Sequence, residues 1–201
     1  MKDSRIKSLT SLTETRFLSL YDAEYENKKG TKKHWTIASR KDFKTLKLQL
    51  LEEKEDVIDA VIIAALHRPS KKLVIIRQFR IPLNDYVFEL PAGLVDDNED
   101  MKVAATRELK EETGFELIKI NFEKMRKKVY ASAGMTDESM AMIYCSCQGE
   151  ISDKYLEDDE DIETILVSQE EAKDLLKKDV KMDIRAFMTL QSFADFGEKI
   201  F

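Results

Sequence analysis

The order of apolar and polar positions predicts a protein rich in strands, with helices concentrated toward its C-terminal half. Residues 16–39 alternate apolar and polar positions around turn residues 27–30, which predicts a β-hairpin. Two continuous apolar runs, at 59–68 and 71–80, are typical of buried strands, and the short turn between them predicts that they pair. The pattern of residues 40–56 is ambiguous and fits a strand that runs into a helix, and we place a domain boundary there.

Three later segments carry helix signals. One helix is predicted to end at Gly114, because glycine readily adopts the left-handed conformation that stops a helix. Ser168 with Glu171 three residues later forms a capping box, which predicts the start of an amphipathic helix over 168–178. Residues 184–196 carry apolar side chains at helical spacing, and this predicts a final helix packed on the core.

Short strands are expected between these helices. Residues 87–90 predict one strand, and residues 116–134 predict one or two more. At 91–93, proline and glycine predict an irregular turn whose backbone carbonyls are free of ladder hydrogen bonds. The acidic run at 155–163 is typical of a solvated loop.

Composition narrows the class of protein. The chain has 201 residues, 43% of them hydrophobic, which is enough for one packed domain with a smaller appendage. Its net charge of −6 opposes binding to nucleic acids. No apolar run approaches the roughly 18 residues of a membrane span and no secretory signal is evident, so we expect a cytoplasmic protein without membrane partners. Cys145 and Cys147 are expected to be buried free thiols.

The most distinctive group of residues is a cluster of charges formed by Arg107, Glu108, Glu111 and Glu112. On a helix with about 100° per residue, the three glutamates fall within an arc of about 100°. Glu111 and Glu112 precede Gly114 in the last turn, where the helix dipole disfavours negative charge by about 0.3–1 kcal/mol. A divalent cation would offset this cost, because hard cations such as Mg²⁺ bind carboxylate oxygens together with substrate phosphates.

Two interpretations of the cluster stay open on the residues alone. In a chain with 36% charged residues, a solvated helix can carry surplus acidic charge without any function. Alternatively, the carboxylates bind a metal. Arg107 lies four residues before Glu111, so it would then hold that carboxylate in one rotamer.

Two arginines close the predicted strand that ends at residue 80. Arg77 and Arg80 are candidates for neutralising a diphosphate, since the guanidinium fork suits phosphate oxygens and an acidic protein needs local positive charge. For Arg77, a salt bridge at the rim is an equally good interpretation. Glu89 is expected either to support the metal site or to pair with an arginine.

The spacing around the cluster resembles that of the Nudix box. It reads Gly93, five residues, Glu99, seven residues, Arg107-Glu108-Leu109, one residue, Glu111-Glu112, one residue, Gly114-Phe115. The resemblance implies the Nudix fold, an α/β architecture with a mixed-sheet α/β/α sandwich. It also implies that the box binds a divalent metal and that the protein hydrolyses a nucleoside diphosphate linked to another moiety.

Flanking segments are similar to the ADP-ribose pyrophosphatase branch of this family. They lie at residues 78–96, 131–139 and 160–163, and the similarity extends over about residues 16–195. It implies two domains: a small N-terminal β-hairpin lobe at 1–56 that is exchanged between the subunits of a homodimer, and a Nudix hydrolase domain at 57–201. The lobe is expected to be too small to build its own core, and Trp35 is expected to serve packing or the dimer interface rather than base stacking.

Matching positions imply roles for individual residues. The implied metal ligands are Ala92, Glu108, Glu112 and Glu160. The implied catalytic residues are Arg107, Glu111, Glu112 and Glu160. Arg80 and Glu138 match substrate-contacting positions and join Arg77 as the predicted substrate-binding set. The expected cofactor is Mg²⁺, with Mn²⁺ as an alternative.

The sequence departs from the branch at two places. Ser132-Ala133-Gly134 stands where the family has Ser-Pro-Gly, and Asp158 stands where some relatives carry a second glutamate. The general base therefore stays open among Glu160, Asp158 and Glu157. The expected reaction is cleavage of ADP-ribose, or a related nucleoside diphosphate sugar, to a nucleoside monophosphate and a sugar phosphate. The alternatives are GDP-mannose, NADH, FAD or dinucleoside polyphosphates as substrates, or a non-catalytic ADP-ribose sensor.

Overall fold

The computed structural model divides the chain into two units. The residues it describes are 5–52, 54, 57–158 and 160–201. Unit 1 comprises Met1–Asp59 and Val129–Met140, and unit 2 comprises Ala60–Lys128 and Ala141–Phe201. The predicted boundary after residue 56 falls on a residue outside the described part of the chain, and the division into 1–56 and 57–201 stays a prediction.

Unit 1 contains a three-stranded antiparallel sheet and one helix. The elements are β1 (Ile6–Glu14), β2 (Ser19–Glu26), β3 (Lys32–Ser39) and α1 (Phe43–Leu51). The strands follow the order β1-β2-β3, so the predicted hairpin is confirmed as β2 and β3. Strand β1 was not predicted. The ambiguous segment after β3 forms a helix, whose first turn is capped by the Asp42 carboxylate as it accepts a hydrogen bond from the Thr45 N–H.

The expectation that this part of the chain lacks a core of its own is wrong. Leu9, Tyr21, Ala23 and Leu46 form a buried apolar cluster, and the Tyr21 hydroxyl donates a hydrogen bond of 2.9 Å to the Lys41 carbonyl. The cluster forms because α1 places Leu46 against side chains that alternate along β1 and β2.

A second sheet has eight strands among the described residues. They are β4 (Ala60–His67), β5 (Lys72–Arg80), β6 (Asp85–Glu89), β7 (Ala92–Leu94), β8 (Glu116–Ile120), β9 (Arg126–Tyr130), β10 (Ser139–Gln148) and β11 (Ile162–Val167). The main path is β11-β5-β4-β10-β8, while β6 pairs with β5, β7 with β4 and β9 with β10. The predicted pair of buried strands is confirmed as β4 and β5. Cys145 and Cys147 on β10 are buried free thiols, as predicted.

Two strands correct the sequence analysis. The predicted irregular turn at 91–93 is wrong, because Ala92–Leu94 pairs with β4 and places Ala92 opposite Ile62. Strand β11 begins inside the acidic run that was expected to be a loop, and it pairs antiparallel with β5 from Ile162 opposite Gln78. In both cases pairing with a distant strand overrides the local sequence signal.

Three α-helices lie in the described residues of unit 2, namely α2 (Met101–Thr113), α3 (Gln169–Leu175) and α4 (Ile184–Phe196). Helix α2 ends at Gly114, whose φ is 80°, and α3 begins with the predicted capping box. Helix α2 contacts β4, β7, β8 and β11, and α4 contacts β5 and β6. The protein is therefore a mixed α/β fold with a mixed sheet, as predicted. In the described part of the chain no helix is long and apolar enough to cross a membrane.

Candidate active site

Arg107 on α2 organises the acidic cluster. Its guanidinium donates to Glu99 from Nε (3.1 Å) and Nη2 (2.9 Å), to Glu108 from Nη1 (2.7 Å), to Glu111 from Nη1 (3.1 Å) and to the Leu94 carbonyl from Nη2 (3.0 Å). The predicted contact between Arg107 and Glu111 is confirmed. These hydrogen bonds raise the pKa of Arg107, so the side chain stays charged while it fixes three carboxylates.

Glu99 orients Arg107, a role that the sequence analysis did not assign. Its two carboxylate oxygens accept the Nε and Nη2 hydrogen bonds in a bidentate pair, and one also accepts from the Asp96 N–H at 3.1 Å. The hydrogen bond from Arg107 lowers the pKa of Glu99. The sequence signal was the fixed place of Glu99 in the box, eight residues before Arg107.

Glu108 lies against the backbone of β7. A Cβ atom added at Gly93 would lie 1.9 Å from the Glu108 Cδ and 2.0 Å from its Oε1, so only glycine leaves room for this carboxylate. The Glu108 side chain is 13% exposed. Burial raises its pKa, although the hydrogen bond from Arg107 acts in the opposite direction.

Glu112 lies one helical turn after Glu108 and is 4% exposed. Its Oε2 accepts a hydrogen bond of 3.0 Å from the Ala92 N–H. Burial is the main cause that raises the pKa of Glu112 well above its ordinary value, followed by the neighbouring charge of Glu108. A solvated acidic helix would not bury a carboxylate to this extent, so the interpretation of the cluster as surplus surface charge is wrong for Glu108 and Glu112.

Glu160 lies within electrostatic range of the carboxylates of Glu108 and Glu112. Its negative charge contributes to the raised pKa values of Glu108 and Glu112. Its own carboxylate accepts a hydrogen bond of 3.0 Å from the Glu157 N–H, while its backbone N–H donates to the Glu157 carbonyl at 3.0 Å. Glu157 and Glu160 therefore close a turn that presents Glu160 toward the acidic end of α2.

The donor set suits a divalent cation. Among the described residues, Glu108 Oε2 and Glu112 Oε1 accept no hydrogen bond, so each side chain keeps one hard oxygen uncommitted. Positive charge placed there would also relieve the cost of burying two neighbouring carboxylates. The described residues do not, however, bring three His, Cys, Asp or Glu side chains together in a preformed metal cage. The predicted ligands Ala92, Glu108, Glu112 and Glu160 remain a prediction that the donor chemistry fits.

Arg80 forms a bidentate pair with Glu89. Its Nε donates to Glu89 Oε1 at 2.6 Å and its Nη2 donates to Oε2 at 2.8 Å. Of the two expectations for Glu89, the structure shows the arginine partner. Glu89 is buried and the hydrogen bond to it raises the pKa of Arg80. The Nη1 group of Arg80 has no hydrogen-bond partner among the described residues, which leaves it available to an anion.

Arg77 makes contacts on the neighbouring part of β5. Its Nη1 donates to Glu163 at 3.2 Å, and its guanidinium carbon lies 4.2 Å from the centroid of the Tyr86 ring. These are the contacts expected of a rim salt bridge, the second interpretation of this residue. Glu138, the third predicted substrate-binding residue, belongs to unit 1, where it accepts a 2.7 Å hydrogen bond from the Nε of Arg40.

The chain is similar to several known proteins. A nudix hydrolase of Caenorhabditis elegans is 38% identical over 118 residues, which cover 55% of this chain and 52% of that protein, so the chain spans about half of that relative's length. An ADP-ribose pyrophosphatase of Bacillus subtilis is 30% identical over 121 residues, covering 60% of this chain and 64% of that protein. The solved structure of an ADP compounds hydrolase matches with a TM-score of 0.70 and 19% identity, over 95% of this chain and 92% of that one.

The solved structure shows the fold alone, because its sequence identity is low. The family follows from a different finding: residues 57–190 match the model of the NUDIX domain, and the residues of the acidic cluster lie inside that match. More than half of the chain is covered, and the chain therefore belongs to the NUDIX family.

Proposed function

We propose that the chain is a Mg²⁺-dependent pyrophosphohydrolase that cleaves ADP-ribose, or a closely related nucleoside diphosphate sugar, to a nucleoside monophosphate and a sugar phosphate. The observation that carries the proposal is the pair of carboxylates on successive turns of α2, the buried Glu112 and the partly buried Glu108, each with a raised pKa and one uncommitted oxygen. The similarity to the Bacillus subtilis ADP-ribose pyrophosphatase supports the choice of substrate.

The residues proposed to hold the metal are Glu108, Glu112, the carbonyl of Ala92 and Glu160. A bound Mg²⁺ or Mn²⁺ ion would supply positive charge to the diphosphate oxygens and lower the pKa of a water molecule. The chain's own contribution is to hold the carboxylates in place. Arg107 fixes Glu108 through its Nη1, and the Ala92 N–H fixes Glu112, so little rearrangement is needed when substrate arrives.

Glu160 is the base that we propose. Its charge acts on the carboxylates of Glu108 and Glu112, whereas Glu157 uses its backbone to hold the Glu160 side chain in place. Glu160 would accept a proton from the attacking water as the water oxygen bonds to one phosphorus atom. The bond between that phosphorus and the bridging oxygen then breaks, and the bridging oxygen leaves with the other phosphate. Asp158 and Glu157 stay the alternative bases.

Arg80 is the substrate-binding residue with the strongest support. Glu89 holds its guanidinium by two hydrogen bonds, and the uncommitted Nη1 can donate to a phosphate oxygen. Arg77 is already engaged with Glu163 and the Tyr86 ring, so its direct contribution to substrate binding should be smaller. Glu138 stays in the proposed substrate-binding set through family resemblance.

One assay tests the reaction and the substrate together. Purified protein is incubated with Mg²⁺ and, separately, with ADP-ribose, GDP-mannose, NADH, FAD and a dinucleoside polyphosphate, and the products are identified by chromatography. The expected result is release of AMP from ADP-ribose, lost when EDTA is added. Preferential cleavage of another compound would show that the chain prefers a different substrate of the same family. The presence of Ala133 in place of proline is compatible with that result. Tight ADP-ribose binding by calorimetry without product would instead indicate a sensor.

We also propose that the chain forms a homodimer through its N-terminal residues. Unit 1 exposes several large apolar side chains, namely Leu12, Phe17, Leu18 and Trp35. Exposed apolar groups of this number favour burial against a partner surface. Light scattering after size-exclusion chromatography should give about twice the mass of one chain, and a monomer at micromolar concentration would contradict the proposal.

A further inference from the structure

The turn that carries Glu160 is tied to the sheet by the next residue, Asp161. The Asp161 carbonyl accepts a hydrogen bond of 3.1 Å from the Phe79 N–H on β5. Its carboxylate accepts a second hydrogen bond, 2.5 Å long, from the hydroxyl of Tyr86 on β6. A hydrogen bond from a hydroxyl to a carboxylate at this distance belongs to the strong, charge-assisted class. Two neighbouring strands therefore hold the residue that follows Glu160.

Tyr86 is itself held in one orientation by two aromatic-ring contacts. The Phe79 ring meets it edge to face, with centroids 5.4 Å apart, and the guanidinium carbon of Arg77 lies over the ring, 4.2 Å from its centroid. Both contacts act on the ring and neither needs the hydroxyl. The ring is thus fixed independently, and the hydroxyl is presented to Asp161 at little cost in side-chain entropy.

Within the described part of the chain, the hydrogen bonds of Glu160 go to Glu157, in the same turn, and none joins Glu160 to α2. Beyond Asp161, the Thr164 hydroxyl on β11 donates to the backbone carbonyl of Glu112 at 3.0 Å. This hydrogen bond fixes the position of β11 relative to the end of α2. The contacts of Asp161 with Phe79 and Tyr86 then set the direction in which the chain runs from the turn of Glu160 into β11.

We propose that Tyr86 is a positioning residue for the reaction: through its hydroxyl and Asp161 it sets the place of Glu160 relative to Glu108 and Glu112. This inference rests on the proposed function and on Glu160 as the base or metal ligand in it. Tyr86 touches neither substrate nor metal in this role. The same geometry gives Arg77 an indirect part, because its guanidinium supports the ring that carries the hydroxyl.

The test uses Tyr86→Phe, which removes the hydroxyl and keeps the ring contacts. The expected result is a kcat reduced about tenfold with KM within about twofold, because the turn is displaced while the phosphate-binding residues are untouched. The reduction should be smaller than that caused by Glu160→Gln, since a general base contributes about 10²–10⁴-fold. Tyr155→Phe is the matched control, because its hydroxyl has no partner among the described residues, and its kcat should equal that of the wild type.

Two further measurements distinguish a positioning role of Tyr86 from a general loss of stability: a double-variant cycle and amide hydrogen exchange. Asp161→Ala should lower kcat by a similar factor, and Tyr86→Phe combined with Asp161→Ala should be no worse than Asp161→Ala alone. Hydrogen exchange followed by NMR should become faster at the Phe79 and Glu160 amides of Tyr86→Phe and stay unchanged at the fully buried Ile75.

The outcomes separate this inference from the proposed function. A wild-type chain that hydrolyses none of the diphosphates overturns the proposed function and, with it, any catalytic role of the contact between Tyr86 and Asp161. An active wild type whose Tyr86→Phe variant retains its kcat, or changes only KM, overturns the positioning role and leaves the proposed function standing. Additive losses in the double variant overturn it as well, because they mean that Tyr86 and Asp161 act separately.

Discussion

The carboxylate of Glu108 fills the space that a side chain at residue 93 would occupy, so the two positions cannot both carry a side chain there. A Cβ at residue 93 would lie 1.9 Å from Cδ and 2.2 Å from Oε2 of Glu108, which is less than any real contact between these atoms. Strand β7 pairs with β4 at this residue, where Gly93 lies opposite Val61, so the backbone cannot easily retreat. The Glu108 carboxylate is the flexible partner, and it would have to move.

Gly93→Ala should therefore abolish most of the activity while the protein stays folded. The φ of Gly93 is not positive, so alanine meets no backbone penalty there and the effect passes through Glu108. We expect kcat to fall by about 10²-fold, the size of loss that a displacement of about 1 Å can cause. Assays of kcat with thermal unfolding monitored by circular dichroism would measure both effects.

A matched double variant shows whether this loss passes through Glu108. In a background of Glu108→Gln, the added Gly93→Ala change should cost little further activity, since the carboxylate that it displaces is already gone. Two losses that multiply would show that Gly93 acts by another route. A Gly93→Ala variant with wild-type kcat would contradict the assignment of Glu108 to the site.

The Arg107 fork gives a second prediction. Arg107→Lys keeps the charge but cannot serve Glu99, Glu108 and Glu111 at once, because an ammonium group lacks the planar array of donors. We expect kcat to fall by about tenfold or more and the free energy of unfolding to fall by about 1–3 kcal/mol. Urea denaturation would measure the second quantity.

Arg126→Lys is the matched control for this change. Arg126 is exposed on β9, and its guanidinium has no partner among the described residues, so the same substitution should leave kcat and stability unchanged. Equal behaviour of the two variants would mean that the hydrogen bonds of Arg107 do not organise the site.

Much of the site could be predicted from the sequence because its residues are close together along one helix. The spacing of Glu108, Glu111 and Glu112 fixes their relative directions once a helix is assumed, and Gly114 marks where that helix ends. The sequence could not distinguish them by burial, which depends on what packs against each side of α2. Glu112 faces the sheet and is buried, whereas Glu111 is half-exposed.

The partners in contacts between distant residues could not be named from the sequence, for a physical reason. Arg80 pairs with Glu89 because β5 and β6 are antiparallel neighbours, and Tyr86 meets Asp161 from 75 residues away. Local periodicity contains no information about such pairings. The same cause hid β11, since the acidic residues around Asp161 suggested a solvated loop and its partner strand lies far earlier in the chain.

Glu112 gives a prediction in which activity and stability move apart. Glu112→Gln should abolish detectable turnover, since a neutral amide is a poor ligand for a divalent cation. Without metal, its stability should equal or exceed that of the wild type near pH 8. The folded protein raises the pKa of Glu112, so the wild type binds that proton more tightly when folded. The stability that this tighter proton binding contributes is fully present below the ordinary pKa of 4.5. It is lost as the pH rises through the raised pKa of Glu112 in the folded protein.

The measurement is urea unfolding of both proteins in EDTA between pH 4 and pH 8. The stability of Glu112→Gln relative to the wild type should rise with pH over this range. Added Mn²⁺ should raise the unfolding midpoint of the wild type and not of the variant. A variant that retains turnover would refute the metal-site assignment, and a variant that fails to fold would show that the carboxylate is needed for structure.

Lys41 carries the last prediction, which concerns stability in unit 1. Its side chain is 9% exposed, and its ammonium group donates to Asp59 at 2.9 and 3.2 Å and to Asp137 at 2.8 Å. Burial alone would lower the pKa of Lys41, but the hydrogen bonds that it donates to the two aspartates outweigh burial and raise its pKa above 10.5. Lys41→Met should cost about 3–5 kcal/mol, because it leaves two buried carboxylates without their cation.

The triple variant Lys41→Met, Asp59→Asn, Asp137→Asn separates this charge effect from a loss of packing. It removes the uncompensated charges, so it should recover much of the stability lost in Lys41→Met. At neutral pH the wild type should keep the stability that the charged Lys41 contributes. It should lose this stability as the pH rises above 10.5 and through the raised pKa of Lys41 in the folded protein, and Lys41→Met should show no such loss at high pH. Urea midpoints at pH 8 and pH 11 test the sign. A Lys41→Met variant as stable as the wild type at pH 8 would show that the two aspartates are neutralised by other means.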